Sequence, residues 1–434
     1  MKSAAPPCAI GYCDLDITPN TALFLTGFAN PPGRKGNGVR SPLMAQAVCL
    51  DDQQGGRALI LSVDTLGFDA SWARSVRESL AEKTRIAPDR IILNASHTHC
   101  APQIRTDEIF GVIEPCDGEY RDWLKQSLVT MGTQAAQQCA PCIPKYAVGI
   151  NRHATYRRFW TGDRWLNAPN FAQEPERHLP IMEFCCANGK IFLIAVIAGH
   201  PTTAADPLYD SHYQGALRKA FLDAHGIQLV ILSGAGADSK MTSPLPDGSG
   251  WLANPETDIS AIAKQLENDL QSARRDLTPM AEWRIHSASA HAPLPVWIRP
   301  TSDLSPQEAR ARRDNAVKKA AWRDLEAGCR RMEILVISWN AACRWVFLEG
   351  EVCGGYGPLL RGVFSTGETA VVAYSQGLLH YIPTEQIALE GGYEGNSSFS
   401  NVKPGETLLP CHPATQSEIV RCVANLKLQL EATL

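Results

Sequence analysis

Residues 90–99, Arg90-Ile91-Ile92-Leu93-Asn94-Ala95-Ser96-His97-Thr98-His99, set a short apolar run against a pair of histidines. Ile91, Ile92 and Leu93 show no helical period and read as a buried strand. Residues two apart on a strand face the same way. A strand that persists to the end of this stretch therefore projects His97 and His99 into one space. Neutral imidazole ligates metals and also titrates near neutrality. The pair fits a metal site or an acid–base site, and a satisfied polar pair at a strand end is the third reading.

Other apolar runs stop in the same manner. Ile191–Ile197 ends at Gly199-His200-Pro201, where the proline stops ladder pairing. Gln228–Leu232 opens into a small-residue loop, Ser233-Gly234-Ala235-Gly236-Ala237-Asp238-Ser239-Lys240, which lacks P-loop spacing and sets Asp238, Ser239 and Lys240 at a strand tip. Lys145–Ile150 leads to Arg152, either a clamp for a carbonyl or carboxylate or a plain surface arginine. Glu333–Trp339 and Arg344–Leu348 form an expected hairpin that ends at Glu349-Gly350-Glu351. Ala370–Tyr374 precedes His380-Tyr381. Ala58–Val63 stops at Asp64, and His212 near a helix start is the spare candidate. Gly27, in Thr26-Gly27-Phe28, either admits a ligand close to the backbone or belongs to an ordinary surface loop.

Helical patterns cover 72–83, 117–138, 213–225, 256–277, 305–328 and 416–430, the last with Thr415 and Glu418 spaced as a capping box. Strands alternating with helices indicate an α/β protein. In open α/β sheets ligands gather beyond strand ends, so the repeated placement of His, Glu, Asp and Tyr there outweighs any one residue. Two histidines and a glutamate make a catalytic zinc set with room for water. Zinc lowers the pKa of bound water to roughly 7 in favourable sites. The residues by themselves point to a metal-assisted hydrolase.

The 434 residues carry a net charge of -4, which leaves no basic footprint for nucleic acid. No apolar run is long enough to span a bilayer, and Met1–Cys8 lacks the apolar core of a signal peptide. A cytoplasmic location is expected. The fourteen cysteines are scattered and read as reduced thiols. Cys139-Ala140-Pro141-Cys142 has no second pair to complete a structural zinc site.

Asp16-Ile17-Thr18-Pro19, Leu25-Thr26-Gly27-Phe28, Ala95-Ser96-His97-Thr98-His99-Cys100-Ala101-Pro102, Gly199-His200-Pro201-Thr202, Gly350-Glu351, His380-Tyr381-Ile382 and Tyr393-Glu394 occur in that order. Together they resemble the neutral (alkaline, non-lysosomal) ceramidase family over almost the whole chain. The resemblance implies stacked mixed β-sheets flanked by helices, as a single catalytic domain over residues 1–434. A helical insertion at about 303–328 is expected, and no C-terminal β-sandwich domain. It implies zinc held by His97, His200, Glu351 and the phenolic oxygen of Tyr381. Zinc-bound hydroxide would attack a linear amide, and His99 would carry the proton to the leaving amine. Tyr393 would stabilise the oxyanion, Arg152 and Gly27 would orient the substrate, and Asp238 would belong to the catalytic set.

The family's active-site serine follows a Gly-Asp pair. Here either Ser239 or Lys240 fills that position, as a substrate-binding residue. With no secretion signal and no β-sandwich tail, a small intracellular amide is expected before ceramide. A metal-dependent esterase or lactonase and a non-catalytic binding relative stay as alternatives, and a homo-oligomer stays open.

Overall fold

Strand β1 (Cys8–Asp16) is followed by β2 (Met44–Asp51), β3 (Arg57–Val63), α1 (Ala70–Thr84), β4 (Ile91–Ala95) and α2 (Gly118–Gln137). In this computed structural model, residues 8–28, 33–106, 114–280, 282–296, 328–396, 398 and 410–432 are described. The chain continues through β5 (Ala140–Ile150), β6 (Thr155–Tyr156), β7 (Arg158–Trp160), β8 (Trp165–Asn167), β9 (His178–Cys186), β10 (Ile191–Ile197) and α3 (His212–His225). Next come β11 (Ile227–Ser233), β12 (Ser239–Lys240), α4 (Pro255–Arg274), β13 (Thr278–Pro279), β14 (His286–Val296), β15 (Gly328–Asn340) and β16 (Cys343–Leu348). Last are β17 (Glu351–Val352), the helix Tyr356–Val363, β18 (Glu368–Val372), β19 (Tyr381–Ile382), two short helices and a C-terminal helix, Thr415–Glu431.

A nine-stranded mixed sheet runs β11-β10-β9-β5-β1-β2-β3-β4, with β13 beside β5. A four-stranded sheet runs β14-β15-β16-β18. Period-two alternation decides how they stack. Val48, Leu50, Ile60 and Ile92 from one face of the large sheet share a core with Leu335, Ile337, Trp345 and Val372 of the small one. The opposite face, through Ala45, Leu59, Leu61 and Leu93, packs on Val76 and Leu80 of α1 and Leu128 of α2. Ile181, Leu193 and Leu229 pack on Leu217 of α3 and Leu266 of α4. Helices Tyr356–Val363 and Thr415–Glu431 pack on the outer face of the small sheet, against Ile334, Val336 and Val346, so the layers are helix, sheet, sheet, helix, as expected of stacked mixed sheets flanked by helices.

One polar row explains why strands from opposite edges of the large sheet end together. Gln46, Ser62 and Asn94 are register partners on β2, β3 and β4, and all three are buried. Gln46 donates to Leu229 O at 3.0 Å and Ser62 to Ile231 O at 2.7 Å, while Asn94 Oδ1 accepts from Ser233 N at 2.9 Å. These side chains satisfy backbone groups of β11 that lack a strand partner on that side. Asn94 Nδ2 also reaches Ala373 O just past β18, at 2.6 Å, so the second sheet is tied to the same edge.

Two long strands were not anticipated, β9 and β14, nor were the two-residue strands β6, β12, β13, β17 and β19. The capping box does not form: Ala414 is the N-cap, and Thr415 Oγ1 donates to Pro295 O at 2.9 Å. A helix N-terminus packed against β14 finds its partners there, not in its own third residue. The helical insertion expected at about 303–328 lies outside the described residues, its last position excepted. Among the described residues no helix is long and apolar enough to cross a membrane.

Candidate metal centre

β4 ends at Ala95, and the chain then bends, with His97 at φ +61° in the left-handed region. The expected strand does not persist. The two histidines meet through a turn whose non-glycine residue costs roughly 1–2 kcal/mol of backbone strain. The result is nevertheless convergence: His99 Nε2 stands 3.3 Å from His97 Nε2, their rings edge-on at 84°. His200 follows β10 and brings its Nε2 to 3.1 Å from the same atom. Ligand atoms of His97, His99 and His200 all lie within 4.8 Å of one another, and all three residues are buried.

Glu351 joins them from the second sheet. Its backbone N–H donates to His380 O at 2.8 Å, which zips β17 to β19 in parallel and pairs Glu351 with Tyr381. Gly350 makes this approach feasible: it sits at φ +84°, and a Cβ there would meet His380 O at 2.8 Å. Glu351 Oε2 comes to 3.2 Å from His97 Nε2 and 3.7 Å from His200 Nε2.

Proton placement shows what this cluster lacks. Leu66 O can only accept, and His97 Nδ1 is 2.8 Å from it, so Nδ1 carries a proton and Nε2 is the atom the ring offers to the centre. Nε2 faces the Glu351 carboxylate, whose buried Oε2 has no hydrogen-bond partner among the described residues. Burial, reinforced by neighbouring positive groups, drives the pKa of His99 and His200 well below the ordinary value, so both rings are neutral. Several lone pairs converge on one point, and a cation there relieves their repulsion. Tetrahedral zinc with bonds of about 2.0–2.1 Å separates its nitrogen ligands by about 3.3 Å, and the observed edges are of that size.

Tyr381 is stacked on His200 at 6.4 Å between ring centroids. Burial, then Glu351, raises its phenol well above the usual range, while Arg157 pulls the other way. Arg157 Nη2 lies 3.1 Å from the Tyr381 hydroxyl, and Arg157 Nε donates to Glu394 at 2.9 Å. Glu394 also accepts from Arg158 Nη1 at 2.8 Å. Tyr393, half exposed at 46%, sets its ring 5.4 Å from that of Tyr381 at the mouth of the site. Gly27, at φ +95°, passes so close to His99 that a Cβ would meet its ring at 2.5 Å. Phe28 covers the same ring at 4.6 Å.

The structure thus brings together His97, His99, His200, Glu351, Tyr381, Tyr393 and Gly27. Arg152 goes elsewhere. Its Nη1 pairs with the buried Asp269 of α4 at 2.8 Å, and its side chain is 54% exposed. The guanidinium that reaches the site is Arg157, which sequence reading did not single out. Its signal is its place just beyond β6, whose partner β12 lies immediately after Asp238.

Asp238 is buried, accepts from Gly354 N at 2.7 Å and is pushed up to about 6, chiefly by burial. It ties the β11 loop to the turn that follows Glu351. Ser239 is fully buried and donates to Gly236 O at 3.0 Å. Lys240 is bridged to His200 in parallel, and burial, then Arg157, lowers its pKa to about 8. The spare candidate His212 accepts from Thr203 N at 2.9 Å through Nε2, a structural bond. Asp64 is held by Arg218 and by Met44 N at 2.8 Å. A separate cleft of about 560 Å³, lined by Asp52, Arg90, Arg284, His286 and Asn340, shares no residue with this cluster.

No protein-family model and no curated protein matches this sequence. Among solved structures, the neutral ceramidase from Pseudomonas aeruginosa matches with a TM-score of 0.79 at 14% identity, covering 99% of this chain and 75% of that one. A ceramidase complexed with C2 matches with a TM-score of 0.78 at 14% identity, covering 99% and 76%. The chain has the fold of these neutral-ceramidase structures, at low sequence identity.

Proposed function

We propose that the protein is a zinc-dependent hydrolase of linear amides, with His97, His200, Glu351 and Tyr381 as the metal's ligands. The observation that carries this reading is the convergence of three buried imidazoles on the buried carboxylate oxygen of Glu351, which lies 3.2 Å from His97 Nε2 and has no hydrogen-bond partner among the described residues. Zinc bound there supplies a Lewis acid that activates water and polarises a carbonyl.

The remaining roles belong to the chain. His99, neutral at working pH, accepts the proton of the attacking water and delivers it to the leaving nitrogen as the C–N bond breaks, an effect of about 10²–10⁴-fold in rate. Its Nδ1 is buried with no hydrogen-bond partner among the described residues, so no bond to a carbonyl or carboxylate fixes the tautomer while Nε2 works. Tyr393 stays protonated, because desolvation of its phenol end and then the Glu351 carboxylate raise it although the ring is half exposed, and it donates to the carbonyl oxygen as charge develops there. Arg157 donates to the Tyr381 oxygen and is itself held rigid by Glu394. Gly27 lets substrate and backbone approach the His99 ring. Asp238 keeps the Glu351 segment in place through Gly354.

Metal analysis of the purified full chain, followed by assay of N-acyl amides and matching esters before and after chelation, tests the proposal. About one zinc per chain and chelator-sensitive amide cleavage are expected. Clear preference for esters overturns the amide assignment, and a protein that binds no zinc overturns the mechanism.

A further inference from the structure

The cationic side chains named around the candidate centre are committed to hydrogen bonds, with one exception among the described residues. Arg157 and Arg158 share Glu394, and Arg158 also meets Glu390 at 3.1 Å. Arg34 is occupied by the carbonyls of Thr26 and His99, at 3.0 and 2.8 Å. Arg152 belongs to Asp269. The Lys240 side chain makes no hydrogen bond or ion pair among the described residues, and the carboxylate that acts on it from a distance is the buried Asp258, which already accepts from Ser243 N at 3.1 Å. Its Nζ lies over the ring of Trp251, 5.0 Å from the centroid, a contact that attracts a cation without neutralising it.

Its direction follows from the backbone. Lys240 is bridged to His200, with His200 N donating to Ser239 O and Met241 N to His200 O, each at 3.1 Å. Side chains of directly opposed residues leave the same face. Lys240 therefore shares a face with the metal-site imidazole, and Ser239 turns to the other face and to Gly236 O. A half-buried ammonium that stays unpaired beside a reaction centre is costly unless an anion arrives with the ligand.

We propose that Lys240 is the subsite for a carboxylate carried by the substrate near the scissile bond, making the substrate a monoanionic amide of the N-acyl amino acid kind. A single ammonium with one aromatic face suits one negative charge. A phosphate dianion would call on further donors, and the nearby arginines are already committed. The inference rests on the hydrolase reading for the word substrate, but the anion subsite stands or falls separately.

The test uses the full-length protein with two matched pairs of probes. These are N-hexanoylglycine against N-hexanoylglycinamide, and N-butylsuccinamic acid against N-butylsuccinamide. Binding is read by calorimetry on protein without added zinc, and kcat/KM on zinc-loaded protein. At least one pair should favour the anion by about 10-fold or more, the size expected for a charge-assisted contact. Lys240→Met should cut that preference to within about 2-fold, and Lys240→Arg should keep most of it. The wild-type comparison needs no variant to fold. Charge-selective binding lost in Lys240→Met supports the subsite even if no amide is cleaved, in which case only the hydrolase reading fails. Amide cleavage with no preference in either pair, or no binding of either anionic probe, overturns the subsite.

Discussion

Arg157 Nη2 stands 3.1 Å from the hydroxyl of Tyr381, although the two residues are 224 positions apart in the chain. A guanidinium that donates to a phenol oxygen favours its ionised form, and a phenolate is the form that ligates a metal. Partners of this kind, one bond removed from a metal, typically contribute 10–100-fold in affinity or activity. Arg157→Met is therefore expected to lower zinc affinity and kcat/KM by about that factor, measured by competition with a chelating dye and by amide turnover. Arg152→Ala provides the contrast. It leaves the buried Asp269 with the Arg152 backbone N–H and Gln265, and it should cost about 1–3 kcal/mol of stability in urea. Its kcat/KM should stay within about 3-fold of wild type. A loss of activity in Arg152→Ala that matches Arg157→Met would reverse the two roles.

His99 Nε2 is 3.3 Å from His97 Nε2, nearly as close as His200 at 3.1 Å, so geometry admits it as a third imidazole ligand. Metal content separates ligand from proton carrier. His97→Ala, His200→Ala and Glu351→Gln should each purify with little zinc. His99→Ala should keep close to one zinc per chain while turnover falls by about 10²-fold or more. Zinc lost from His99→Ala to the same extent would make His99 a ligand and leave the proton to another group.

Much of this centre is legible in sequence because its residues sit where apolar runs stop. β10 and β11 are a buried parallel pair, Ile191–Ile197 against Ile227–Ser233, and such strands read as unbroken apolar runs. The two long strands that were missed have physical reasons. β14 carries Pro293 and Pro295 among small residues, and it is an edge strand of its sheet, where missing N–H donors are tolerated. β9 contains Pro180 and a buried charge at Glu183, which Arg274 holds at 2.7 Å from α4. No local pattern reveals a partner 91 residues away. Arg157 was passed over for a similar reason. The strand-end rule pointed to Arg152 just after β5, but the chain runs on to pair β6 with β12, and only there does an arginine turn to Tyr381. That a turn at His97, not a continued strand, joins the two histidines is likewise a matter of backbone dihedral that composition does not encode.

Gly27 offers a test of positioning without touching a ligand. Alanine there places a methyl about 2.5 Å from the His99 ring and asks an L-residue to hold φ +95°. Gly27 is exposed, so the loop can give way without unfolding the core. Gly27→Ala should lower kcat by about 10-fold or more with zinc content unchanged and the melting temperature within a few degrees. Unaltered kcat would mean that the His99 ring position does not limit the reaction.

His178, at the start of β9, links the stability of the fold to pH. Burial first, then Arg361, lowers its pKa to about 4. Glu368 Oε2 lies 3.7 Å from its Nε2 and pulls the other way, but that carboxylate is half exposed and screened by water, so burial prevails. The unfolded chain holds this ring near 6.5. Between about pH 6.5 and 4 the unfolded state therefore binds a proton that the native state refuses. Stability from this group is complete above 6.5 and is lost as pH falls towards 4, at no more than about 1.4 kcal/mol per pH unit. His178→Gln removes the group from the balance. Urea unfolding at pH 6.5 and 4.5 should show a smaller acid loss in the variant, by about 1–2 kcal/mol. The variant keeps some slope, because His212, buried and also lowered to about 4, still refuses its proton. Equal slopes for variant and wild type would mean that Glu368 keeps the ring charged in the folded protein.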